Sequence, residues 1–101
     1  MKTFIPPKSV SNEAKRGLKM YDLAVQVHNK KCATRVGLTR ANQLSNQRPV
    51  SLKTIKRINS FLARHEKNKN NPPPKCGMVS YLLWGGDSAK RWVSNILSQQ
   101  E

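Results

Sequence analysis

Lys53, Arg57, Ser60 and Arg64 follow one another at spacings of four, three and four. At about 100° per residue those positions share one side of a helix. Lys56 flanks them, and no acidic residue falls between Lys53 and Arg64. Long cationic side chains on one helix face can neutralise phosphates and reach base edges. Arg57 and Asn59 are of types that pair with bases in a groove. A second basic group, Lys30, Lys31 and Arg35, lies upstream in HNKKCATRVG. The candidate nucleic-acid contacts are therefore Lys30, Lys31, Arg35, Lys53, Lys56, Arg57, Asn59 and Arg64.

Other chemistry finds weaker support. His28 and Cys32 stand four apart, and His65 with Cys76 would complete a two-His, two-Cys set for zinc. That spacing matches no familiar finger, so no metal is expected. The two cysteines are expected to be free thiols in a reducing cytosol. Glu13, Asp22, Glu66, Asp87 and Glu101 are too scattered for a nuclease centre. His65-Glu66 reads as a helix end, with Glu66 free to pair with a nearby lysine. GGD lacks the lysine and hydroxyl residue of a phosphate loop. No enzymatic activity and no cofactor are expected.

Composition points the same way. Nineteen Lys and Arg against five Asp and Glu give a net charge of +14 in 101 residues. Such an excess repels itself in a compact domain, and a polyanion partner relieves it. Duplex DNA leads among these partners. No apolar run approaches the ~20 residues of a membrane span, and MKTFIPPKSV lacks the form of a signal peptide.

The elements that must position these residues can be read in turn. Residues 1–8 form an extended basic arm stiffened by Pro6 and Pro7, followed by a single helical domain over 9–101. The first helix starts near Ser9 or Ser11 and carries the stripe Ala14, Leu18, Tyr21, Val25. Glu13 falls in its first turn, where a carboxylate suits the helix dipole. A second helix runs from about Leu38 to Ser45, with Gly37 ending the loop before it. Pro49 breaks the chain, and Ser51 caps a third helix. Leu52, Ile55, Ile58 and Leu62 are its buried side. The pair resembles a helix-turn-helix with a lengthened turn. Residues 66–75 form an exposed Asn/Lys/Pro-rich loop. A short apolar helix ends at Gly85, placed for a left-handed cap, and Asp87 caps the last helix. The predicted class is all-α, a bundle of about five helices. Its core is Leu18, Tyr21, Leu44, Ile55, Ile58, Leu62, Leu82, Trp84, Trp92 and Ile96. Trp84 and Trp92 are expected to pack together across Gly85-Gly86.

IPPKSVSNEAKRGL, RANQLSN, VSLKTIKRINSFLARHE and YLLWGGDSAKRWV resemble, over nearly the whole chain, a module encoded in many tailed-phage and prophage genomes. It occurs there as a small protein, or attached to head-maturation proteases and other virion-related proteins. The resemblance implies a phage origin and a place in the bacterial host cytoplasm or the virion. It keeps two other readings open. One is a head-assembly protein that neutralises packaged DNA or docks on an acidic capsid surface. The other is a host-takeover factor that binds an acidic host protein.

Overall fold

The computed structural model describes residues 2–100. Five helices follow in order: α1 (Lys8–His28), α2 (Arg35–Ser45), α3 (Leu52–His65), α4 (Gly77–Leu83) and α5 (Gly86–Ser98). The class is all-α, as the sequence predicts. Two short strands, β1 (Thr3–Phe4) and β2 (Val50–Ser51), pair antiparallel, Thr3 opposite Ser51 and Phe4 opposite Val50. The predicted N-terminal arm is thereby fastened to the chain between α2 and α3. Pro6 is fully buried, and its carbonyl accepts a hydrogen bond from Gln47 Nε2 at 2.9 Å.

Local signals set most helix ends. The Ser51 hydroxyl accepts from the Thr54 N–H, the cap expected for α3. Gly85 takes a left-handed φ of 99° and ends α4, as its position predicts. Two expectations fail. The second helix begins at Arg35, not Leu38, because the Thr34 hydroxyl accepts from the Gly37 N–H, so Gly37 lies inside the first turn. Asp87 also lies within α5 and does not cap it.

α1 packs on α4, α2 and α5, and α3 packs on α5. The seam of α1 is made of small residues. Val10, Ser11, Ala14, Gly17 and Ala24 are buried, whereas Leu18, Tyr21 and Val25 are only half-buried. Gly17 explains the shift: a Cβ there would stand 2.6 Å from the Leu83 nitrogen and 2.8 Å from the Leu82 carbonyl carbon. The helices meet backbone to backbone, and larger side chains flank the seam. Leu44, Ile55, Ile58, Leu62, Leu82, Trp84 and Ile96 join the core as predicted. Trp92 packs against it from a half-buried position.

Cys32 and Cys76 form a disulfide with their Cα atoms 4.9 Å apart, which corrects the expectation of free thiols. The bond ties the loop after α1 to the start of α4. Ser80 adds a hydrogen bond to the Cys32 carbonyl at 3.0 Å. The 66–75 loop is also less free than expected. Residues Glu66–Asn68 form a 3-10 turn, Met78 N–H donates to the Asn71 carbonyl, and Lys69 is half-buried against Asp87.

Candidate nucleic-acid interface

α2 and α3 are joined by a short turn, yet they barely touch: α2 lies on α1, and α3 on α5. The compact packing of a helix-turn-helix pair is therefore absent. Trp84, at the end of α4, occupies the space between them. Its ring stacks on Phe61 of α3 with centroids 4.3 Å apart and planes 11° apart. The guanidinium of Arg40, on α2, lies 5.3 Å from the same ring system. Phe61 also stacks on His65, one helical turn on, at 4.1 Å and 27°. The expected partner of Trp84 was Trp92, but Phe61 takes that place. Phe61 lies one turn from the buried Ile58 and stacks on the ring at the end of α4, whereas Trp92 packs half-buried against the core.

Phe61 and Trp84 separate two clefts. The first, about 420 Å³, is lined by Lys30, Lys31, the disulfide, Thr34, His65 and Ser80 as well as the two rings. The second, about 450 Å³, is lined by Lys53, Lys56, Arg57, Ser60 and Arg64 on the outer side of α3. Both volumes fall in the ~300–1,000 Å³ range of small-ligand sites. Among the described residues, no carboxylate lines either cleft.

Glu13, Glu66 and Asp87 are engaged elsewhere. Glu13 was expected to serve the dipole of its own helix. Because α1 starts at Lys8, Glu13 stands past the first turn, and its Oε2 accepts from the Ser88 N–H of α5 at 2.8 Å. Asp87 Oδ1 accepts from the Tyr81 hydroxyl at 2.7 Å and from Lys69 Nζ at 3.2 Å. Glu66 pairs with Lys90 and, at 3.9 Å, with Lys69, the lysine pairing expected of it. Among the described residues, these ion pairs engage only the lysines Lys69 and Lys90.

No family model, curated protein or solved structure matches this chain.

Six of the eight sequence-predicted contacts come together around the aromatic wall: Lys30 and Lys31 in one cleft, Lys53, Lys56, Arg57 and Arg64 in the other. Arg35 is exposed and Asn59 half-buried, and neither lines a cleft. For Asn59 the reason is rotation: it sits about 120° from Lys53 on the helix. Four further residues belong to the site. Phe61, His65 and Trp84 make the wall, and Arg40 buttresses it. Arg40 donates to Gln43 Oε1 at 2.6 Å, while its Nε is buried without a partner. Burial, then the charge of Arg57, pulls Arg40 below the ordinary guanidinium range. Burial, then Arg64 and Lys67, likewise lowers His65, favouring its neutral ring. An FxxxH spacing within the basic helix was the available sequence signal for Phe61 and His65. For Arg40 there was none, because its role exists only against Trp84. His65 and Cys76 share the first cleft, but Cys76 is bonded to Cys32. No group of three or more His, Cys, Asp or Glu that could hold a metal forms among the described residues. No helix is long and apolar enough to cross a membrane among those residues.

Proposed function

We propose that this chain binds nucleic acid, gripping the phosphates of duplex DNA with the outer side of α3 and with Lys30 and Lys31. The observation that supports this reading is the segregation of charge. The carboxylates Glu13, Glu66 and Asp87 sit together around the start of α5, and the cations of both clefts face solvent without acidic neighbours. Unpaired cations of this kind release counterions from DNA, so affinity depends steeply on salt. The grip does not require a helix-turn-helix; α3 is held from behind by α5 and presents its basic side outward. Taken with the likeness to the phage module, the DNA would be phage or host DNA met in the bacterial cytoplasm.

The test is fluorescence anisotropy with a blunt duplex across a salt series. Four α3 cations on four phosphates give a log–log slope of about −3.6, at about −0.9 per contact. A flat salt response would refute the reading.

The Cys32–Cys76 bond favours a second setting for the same activity, the virion. Disulfides are rare in reducing cytosol and persist at virion and cell surfaces. Thiol labelling of the protein from infected cells and from purified particles distinguishes the two: a bond found only in particles supports the virion.

A further inference from the structure

The wall between the clefts is a pile of flat groups. Phe61 lies nearly parallel to both Trp84 and His65, at 4.3 and 4.1 Å. Two rings at those distances cannot share one face of a phenyl group, so both faces of Phe61 are covered and the pile ends at His65. His65 lines only the first cleft, beside Lys30 and Lys31. Burial, then the charges of Arg64 and Lys67, favours the neutral form of this flat ring. The cleft is too small to admit a duplex and matches a small-ligand site in volume. A duplex lying along α3 would meet the exposed Lys30 and Lys31 at its edge and leave its interior empty.

We infer that the first cleft seats one unpaired nucleotide of the bound nucleic acid, its base extending the pile on His65 and its phosphate held by Lys30 and Lys31. The inference rests on the nucleic-acid reading above and makes it more specific: the preferred ligand is a duplex with an unpaired segment at its end or in its interior. Stacking on an aromatic end is tolerant of base identity, since every base has a flat face. The seat therefore selects for an unpaired base, not for a sequence. The disulfide behind the cleft and the Ser80 hydrogen bond hold the Lys30–Lys31 segment in place against α4, so the phosphate site is formed before the nucleotide arrives.

The test compares three DNA probes at one salt concentration: a blunt duplex, the same duplex with a short single-stranded tail, and the tailed duplex with an abasic tail. The last two carry equal numbers of phosphates and differ only in bases. The intact tail is expected to bind about tenfold more tightly than the abasic one. His65→Ala should bring that ratio close to one, and His65→Phe, which keeps a flat ring, should restore it. Equal binding of the intact and abasic tails by the unmodified protein overturns the seat, while a salt-dependent affinity for the blunt duplex leaves the proposed function standing. No binding to any probe overturns both.

Discussion

The two sides of this molecule join their helices in opposite ways. Where α1 meets α4, small residues let backbones touch at Gly17, and the carboxylates of Glu13 and Asp87 reach across to other elements. Where α2 faces α3, Trp84 fills the gap, the helices stay apart, and the flanking side chains are cations without acidic partners. The closed side can supply stability because its backbones touch and the carboxylates of Glu13 and Asp87 there are hydrogen-bonded. The open side leaves clefts because a ring, not a methyl group, sets the spacing. A chain with five acids in 101 residues has three of them on the closed side, and the open side keeps its positive field.

The sharpest way to break this contrast is Gly17→Val. The new side chain must push Leu82 and Leu83 away, and overpacking of a close backbone contact costs about 3 kcal/mol. Chemical denaturation should show that loss, with little change in the affinity of the remaining folded protein for DNA. Full stability would mean that α1 and α4 do not meet as closely as the seam indicates.

On the open side the effect should reverse. Arg57→Glu removes a phosphate contact and adds repulsion, weakening duplex binding by about 1–3 kcal/mol. Stability should change by less than about 0.5 kcal/mol, because Arg57 is exposed. Lys19→Glu, an equal charge change on the exposed outer side of α1, is the control. If the two variants lose affinity equally, net charge matters and the α3 surface does not. Lys69 is unsuitable as such a control, since it pairs with Asp87 and Glu66.

Tyr81→Phe probes the closed side more gently. It deletes the hydrogen bond to Asp87, worth about 1 kcal/mol at a site half open to water. It should also change the pH profile. Burial and then the Asp87 bond raise the Tyr81 hydroxyl above the usual 10.0. A folded-state value raised in this way gives stability that is present below about pH 10 and lost above it. The same bond is the largest cause that lowers Asp87 below 3.8, so its contribution is present above that pH and lost in acid. Thermal melts at pH 7 and pH 10.5 should therefore differ more for the parent protein than for the variant.

The smallest effect belongs to His65. Its folded-state value lies below 6.5, so the unfolded chain binds the proton first as pH falls. Stability is then complete above about pH 6.5 and declines below it. Melts at pH 7.5 and 5.5 should show a modest drop that His65→Gln reduces.

What could be read in the sequence was what neighbours along the chain decide. Ser51, the Ile55–Ile58–Leu62 stripe and Gly85 act through residues within a turn or two, and each behaves as its type and spacing indicate. The cationic side of α3 was legible for the same reason. What could not be read depends on distant partners. Glu13 caps a helix 75 residues away, and Cys32 meets Cys76 across 44. Gly17 looks like a poor helix former until α4 lies against it. Trp84, placed in the core by its apolar surroundings, is indeed 8% exposed. Its role as a spacer appears only once Phe61 and Arg40 flank it. Gly37 reads as a loop residue, and that reading hides the Thr34 cap three residues before it.

The Cys32–Cys76 bond also makes a covalent ring of the chain between them, with all of α2 and α3 inside it. The exposed Asn46–Pro49 turn lies in that ring and is where a protease would reach the backbone. A single cut there would open the ring without releasing a fragment. The nicked protein would migrate as one species under oxidising denaturing conditions and separate into two pieces, one ending just after α2 and the other beginning before α3, only after reductant is added.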